Sequence, residues 1–510
     1  MRSEALSYVI GIDAGTTSFK GVLLDNYGNL VTSSGKEYKL DAGPNDTFEV
    51  DPEVYWDITC WVIRDILRKS GIDPSVVSGI AFSCQGETFI TVDSAGRPLR
   101  KAIVMIDNRS VKEAKLIKEK FGSQLIMEIT GQPEVVPTWP ATRILWIRHN
   151  EPFVFDKVAK YLLVEDYLIF KLTGQFSSDH SLSSSTLYFN ITAKQWWDPM
   201  LAFLGISSRQ LPELLPPGSK VQHLAREAAL ATGLTTNTMI VTGAYDHACG
   251  AIGAGNTSEG IVTLTIGGAM AMCVTLNKPV FDASLKLPCQ CHAIPGLFFL
   301  LPYAQTAGLV LKWFKDEFCE EEIEAARRLD SSPYDLMIAK AAGVPPGSEG
   351  LIMLPHLMGT GSPFYNTKVK GVLAGITIGL KKGHFVRAIL EAVACTIEDN
   401  LESMRRKGIN VQEIHVLGGG SKNRLWNQII ADMTRIPVVT TSQAENASIG
   451  AAILAGVGVG MYKDIVSTSK ALAEVTSRIE PEAGNYDRYR EVYRTYSLLY
   501  KCLENYWILS

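Results

Sequence analysis

Eight consecutive residues, Asp13-Ala14-Gly15-Thr16-Thr17-Ser18-Phe19-Lys20, combine a carboxylate, small residues, three hydroxyls and one cation. A turn of this composition offers free backbone N–H groups, little bulk and positive charge, which is what a polyphosphate requires. Asp13 ends the apolar run 8–13 (YVIGID), where a carboxylate can hold Mg2+ directly or through water. The stretch is not G-x-x-x-x-G-K-[ST] before a helix, so it is no Walker A loop. A plain β-hairpin is the alternative reading of the same residues. A second carboxylate, Asp246, follows the apolar run 237–243, at a strand end of the kind where α/β proteins place ligands. A helix-capping role is compatible with that position.

The elements that must carry these groups are legible from periodicity. Residues 8–13 and 19–25 read as strands around the turn, with 26–29 (NYGN) as a hairpin turn. A looser echo follows later: 261–266 (IVTLTI), then Gly267-Gly268, then 269–275 (AMAMCVT). Two strand–glycine turn–strand units predict two related domains. Helices are expected over 52–69, with Asp51 as cap, over 161–172, stopped by Gly174, and over 384–407 and 423–432. Strands are expected at 237–243, 351–354 and 414–417, and loops at 211–219 and 343–350. Helices alternating with strands predict an α/β architecture, with the Gly418-Gly419-Gly420 cluster at a strand end.

The chain has 510 residues, 46% hydrophobic and 20% charged, with a net charge of −4. That length exceeds one hydrophobic core and predicts two domains of roughly 200–250 residues. The charge offers no general attraction to nucleic acid or to an anionic membrane. No apolar run approaches the ~20 residues of a membrane span, and residues 1–7 carry no secretory pattern. The nine cysteines, an odd number, suit a reducing cytoplasm better than a disulfide framework. Cys289, Cys291 and His292 form one tight C-x-C-H cluster, a weak indication of zinc without a second pair.

Five segments in order resemble the FGGY family of carbohydrate kinases, within the actin/Hsp70/hexokinase superfamily. They are GIDAGTTSFK (11–20), FSCQGETFITVD (82–93), AYDHACG (244–250), GVLAGITIGLKKGHFVRAILE (371–391) and GGGSKNRLWNQIIAD (418–432). The resemblance implies two actin-like (ribonuclease H-like) α/β domains, each a mixed sheet flanked by helices, with a deep cleft between them. It places an N-terminal domain at 1–254, a C-terminal domain at 255–463 and a helical extension at 464–510. It implies transfer of phosphate from ATP, with Mg2+, to a hydroxyl of a small ketose or polyol of four to six carbons, xylulokinase-like, with glycerol kinase as the alternative. It further implies Asp246 as general base; Asp13 and Asp246 as metal ligands; Thr16, Thr17, Lys20, Thr265, Gly267 and Gly268 near the phosphates; and Gly308, Gly419 and Asn423 near adenosine. A homodimer is compatible with it.

Gln85, Glu87, Asp107, Trp139 and His247 are the candidate sugar contacts, since carboxylates and amides suit vicinal diols and an aromatic face covers the C–H side of a sugar. Packing for Trp139, an ion pair with Arg109 for Asp107 and a backbone bond for His247 are the competing readings. Gly86 stands where glycerol kinases carry Arg, which predicts a wider pocket. Thr265-Ile266-Gly267-Gly268 departs from the family's Gly-Thr-Ser-Gly, with Ile266 replacing an expected hydroxyl. Functions of another class are an actin/Hsp70-like ATPase or a sugar sensor without turnover.

Overall fold

The strands Tyr8–Ala14 and Ser18–Asp25 pair antiparallel, and their register sets Asp13 opposite Lys20. A computed structural model of the chain describes residues 6–44, 46–442 and 445–509. The hairpin extends on one side to the strand Leu30–Glu37. On the other side it pairs in parallel with Val77–Cys84, which brings Ser83 opposite Asp13. Val77–Cys84 continues in parallel to Met239–Val241 and to the short Ala244–Tyr245. A Cβ on Gly11 would meet Ser448 and Ala452, whereas one on Gly21, across the pleat, would meet Val62 and Ile66. The first sheet therefore carries a helix on each face, Asn446–Val459 and Pro52–Ser70, and its central strands are buried on both sides as in α/β proteins. Asp51 caps Pro52–Ser70 by accepting from Glu53 N at 3.0 Å, and Gly71 ends that helix at φ 65.

The second sheet repeats the plan. Ile261–Ile266 pairs antiparallel with Met270–Leu276 and parallel with Glu413–Leu417, which pairs in parallel with Val438–Thr441. The long helix Lys382–Arg405 packs against this half, as does the C-terminal helix Tyr486–Leu509, through the helix Arg424–Thr434 among others. The expected two-domain α/β fold of mixed, helix-flanked sheets is what the chain forms.

The halves exchange elements. Asn446–Val459 lies between two strands of the second sheet in sequence, Val438–Thr441 and Val475–Ile479, yet packs on the first sheet and on the helix Asp246–Gly253. The two helices touch backbone to backbone: a Cβ on Gly253 would sit 1.9 Å from Asn446 O, and one on Gly450 2.0 Å from Cys249 O. Small residues are required here by close approach.

Two sequence expectations need correction. The stretch 161–172 is not one helix: Lys160–Leu162 pairs as a strand with Ile90–Val92, and the helix Val164–Thr173 starts after it. The expected loop 211–219 contains the strand Glu213–Leu215, paired in parallel with Ser177–Asp179. Short apolar runs read alike as strand or helix until a partner strand decides. Among the described residues, no helix is long and apolar enough to cross a membrane.

Candidate active site

Three backbone segments of the first half end at one place: the turn after Tyr8–Ala14, the end of Val77–Cys84, and the start of Asp246–Gly253. The turn is fixed from below. Gly15 O accepts from Tyr38 Oη at 2.8 Å and from Gln85 Nε2 at 3.1 Å, and Tyr38 N donates to Thr17 O at 3.0 Å. Thr17 and Lys20 are left exposed, and Thr16 Oγ1 reaches Met105 Sδ at 3.3 Å. Lys20 Nζ lies 3.1 Å from Glu445, the residue before Asn446–Val459.

Asp13 accepts from Ser83 Oγ at 2.7 Å. Burial pushes its carboxyl up to about 7, and the like charges of Asp246 and Glu445 add to the shift, while Ser83 and Lys20 oppose it. Asp13, Asp246, Glu445 and Lys20 therefore share one electrostatic neighbourhood. Asp246 begins its helix, and its Oδ1 accepts from His247 N at 2.6 Å; the His247 ring is edge-on to Tyr245 at 5.2 Å.

Glu87 stands at the centre of a three-residue turn closed by Thr88 N donating to Gly86 O at 2.6 Å, with φ 57. That is a strained conformation for a residue with a side chain, of the kind held in place at functional sites. Its carboxyl is buried, which pushes it up to about 8; Arg143 opposes the shift and Asp246 adds to it.

Arg143, fully buried, is the residue that sequence reasoning missed. Its guanidinium donates to the carbonyls of Glu87, Val104 (2.8 Å) and Met105 (3.0 Å), and thereby fixes the turn that presents Glu87. Nothing in the run 137–145 distinguishes it from an exposed helix cation, because its partners are main-chain oxygens from distant segments. The site's supports come from far along the chain.

The other proposed sugar contacts separate. Gln85 is buried and spent on the scaffold: beyond Gly15 O, its Oε1 accepts from Thr88 Oγ1 at 2.7 Å. Asp107 has no exposed surface, and it accepts from Phe48 N at 2.6 Å and from Arg109 N, Nε and Nη2 at 2.8–3.0 Å. This is the structural ion pair. Trp139 packs in a third apolar cluster with Phe89 and Leu187, and its indole donates to Glu134 O at 3.0 Å. Gly86 does not open a wider pocket: a Cβ there would lie 2.7 Å from the Tyr245 ring and 3.0 Å from Ser185 Oγ. Glu87, Asp246, Tyr245 and His247 remain together.

The second half holds a cavity of about 800 Å³ lined by Ile266, Gly267, Gly268, Gly308, Gly419 and Asn423 among others. Gly308 N donates to Gly267 O at 2.9 Å and Leu309 N to Gly268 O at 3.0 Å, so the hairpin turn is seated on the start of the helix Gly308–Phe318. Thr265 is exposed, whereas Ile266 is buried beneath Gly420, whose Cβ would fall 2.7 Å from that of Ile266. Asn423 caps the helix Arg424–Thr434 by accepting from Trp426 N at 3.1 Å. Tyr334, Ile338, Leu425 and Trp426 supply apolar walls that the sequence did not single out. A mostly apolar cavity with glycines at its polar end suits a flat ring joined to an anionic tail.

Cys289 and Cys291 share one short strand, with Cys291 Sγ 2.8 Å from Lys194 Nζ, while His292 Nδ1 accepts from Ile294 N at 3.1 Å. Among the described residues, no group of three or more His, Cys, Asp or Glu side chains is gathered to hold a metal ion.

Two α/β domains with acid-bearing strand ends in one and a glycine-rimmed cavity in the other suit an enzyme that handles phosphate. The FGGY family of carbohydrate kinases matches the chain in two parts, its N-terminal domain over residues 8–253 and its C-terminal domain over 264–459. The chain is 28% identical to the xylulose kinase of Bacillus subtilis (strain 168) over 495 residues, 97% of each chain. It is 31% identical to the gluconokinase of the same organism over 502 residues, 98% of this chain and 96% of that one. Its structure matches that of a ligand-bound xylulose kinase from Lactobacillus acidophilus with a TM-score of 0.89 at 26% identity, covering 98% of each chain. The chain belongs to the FGGY family of carbohydrate kinases and is a carbohydrate kinase.

Proposed function

We propose that the enzyme transfers the γ-phosphate of ATP to a hydroxyl of a neutral ketose or polyol of four to six carbons, with Asp246 taking the hydroxyl proton. The observation that carries this reading is the pairing of Glu87 and Asp246, two acidic side chains within electrostatic reach of each other at the strand ends of the first half. Hydroxyl groups pair with both, donating to a carboxylate and exchanging hydrogen bonds with a neutral carboxyl, whereas the Asp246 carboxylate would repel that of a sugar acid. A positioned carboxylate at the acceptor oxygen, together with charge neutralisation, is what phosphoryl transfer asks of a protein.

In this reading ATP occupies the 800 Å³ cavity, with its phosphates reaching across a cleft between the domains towards Thr16, Thr17 and Lys20. Lys20 would exchange Glu445 for phosphate oxygens. Asp13 and Asp246 fit Mg2+, which takes one or two carboxylates and completes its shell from phosphates and water. The ion, when bound, offsets phosphate charge, and it would lower the raised carboxyl of Asp13. Thr265, exposed beside the second turn, would offer a hydroxyl from the second half.

The test is ADP release with xylulose, gluconate and glycerol as acceptors. Turnover should favour xylulose or another neutral polyol and fall about 10³-fold in Asp246→Asn. Preference for gluconate would overturn the neutral-acceptor reading, preference for glycerol the length, and full activity of Asp246→Asn the assigned base.

A further inference from the structure

We propose that Glu165 and Asp179 share one proton and, as a pair, position Asp246 by tying down the backbone just before it. The inference rests on the reading of Asp246 as the base. Both side chains have no exposed surface. Glu165, on the helix Val164–Thr173, accepts from Gly243 N through Oε1 at 2.7 Å. Asp179 caps the short helix His180–Ser183, its Oδ1 accepting from Ser181 N at 2.6 Å and Leu182 N at 3.0 Å, and Ser181 Oγ accepts in turn from Tyr245 N at 3.3 Å. The N–H groups of Gly243 and Tyr245, three residues and one residue before Asp246, are thus both held by this pair or by the turn that it caps. Gly243 also lies close against the strand Val77–Cys84, since a Cβ there would lie 1.6 Å from Phe82 O.

The other two oxygens make the case for a shared proton. Glu165 Oε2 and Asp179 Oδ2 are buried and have no hydrogen-bond partner outside the pair. Each carboxyl is pushed up, chiefly by burial, and each is among the groups that shift the other. Two adjacent carboxylates in dry surroundings do not both ionise, and one proton between them satisfies both orphan oxygens. Cys84, Cys249, Cys291 and Asp166 also face the pair; none of them brings a positive charge, and Lys194, whose Nζ lies 2.8 Å from Cys291 Sγ, stands behind Cys291. Asp166 accepts from Leu163 N through Oδ2 at 2.8 Å, its buried Oδ1 likewise has no hydrogen-bond partner, and its charge pushes both carboxyls of the pair further up.

Amide variants separate the two parts of the proposal. Glu165→Gln keeps the acceptor for Gly243 N and points a permanent N–H at Asp179; Asp179→Asn keeps the helix cap and points one at Glu165. Both should keep kcat within about threefold of wild type in ATP-dependent turnover of xylulose or gluconate, whichever is the better acceptor, and should keep the amide exchange protection of residues 239–250. Glu165→Ala should lose protection at Gly243 and Tyr245 and about 10²-fold in kcat, with the sugar KM little changed, as expected for misplacement rather than lost binding. A 10²-fold loss in either amide variant overturns the shared proton. Unchanged exchange in Glu165→Ala overturns the anchoring. Faster exchange with unaltered kcat overturns the positioning role, and Asp246→Asn then shows whether the base assignment failed with it: an active Asp246→Asn places the failure there.

Discussion

The turn at residues 15–17 and the turn at Gly267-Gly268 join hairpins of the same topology, each with its first strand paired in parallel to a later one, yet they are built from different materials. The first presents side chains, Thr16, Thr17 and Lys20, and is held from below by the side chains of Tyr38 and Gln85. The second presents backbone, and is held by main-chain bonds to residues 307–309. The surroundings follow suit. Carboxyl groups displaced from their ordinary range crowd the first turn, whereas the second opens on an apolar cavity. In the proposed function the first half handles charge and protons and the second holds a ring.

That contrast can be broken at either turn. Lys20→Ala should cost about 10²-fold in kcat with the ATP KM within about threefold, because in the proposed function Lys20 meets the transferring phosphate, where a cation matters most in the transition state. A pure KM effect would make the first turn a binding device like the second. Gly308→Ala should act in the opposite sense, since its Cβ would lie 2.4 Å from Gly267 O. The turn must shift, and the ATP KM should rise about tenfold while kcat changes little.

The electrostatic part of the contrast is read from stability. The carboxyl of Glu87 moves from 4.5 to about 8 on folding, so between those values the native state binds a proton that the unfolded chain has released. Stability then falls as pH rises through the window. Glu87→Gln lacks that proton, and its melting temperature relative to wild type should climb by about 2–5 °C between pH 5 and pH 9. A flat difference would mean that Glu87 is already ionised in the folded protein. The smallest effect on turnover is expected from Ile266→Thr. Its hydroxyl would be buried under Gly420, costing about 2 kcal/mol of stability with turnover changed less than about twofold. A tenfold gain in turnover would show that a hydroxyl at 266 reaches phosphate and that the second turn had lost a side-chain donor.

Much of the fold was legible because it is local. The hairpin around Gly15, the capped helix Pro52–Ser70 and the strand–glycine–helix passage at 413–434 follow from short-range patterns that carry their own stop signals. The second hairpin was legible for the same reason. Where a strand depended on a distant partner, as at Lys160–Leu162 and Glu213–Leu215, the pattern could not say so. The destination of Asn446–Val459 was equally hidden: a small-residue helix reads alike whichever sheet it covers, and close contact with Asp246–Gly253 decided it.

The sequence by itself determined the family, the carbohydrate kinase activity and the chemistry available at Asp13, Lys20, Glu87 and Asp246, because residue type and order survive without coordinates. Only the tertiary structure decided which polar side chains are free. Gln85 and Asp107 have the right chemistry for a sugar and are consumed by Gly15, Thr88, Phe48 and Arg109. Arg143 and Glu165, which no motif marks, turned out to hold the carbonyls and amides around the site. The physical reason is that a hydrogen bond is a property of two groups and the distance between them. The sequence names the groups, and folding alone sets the distance.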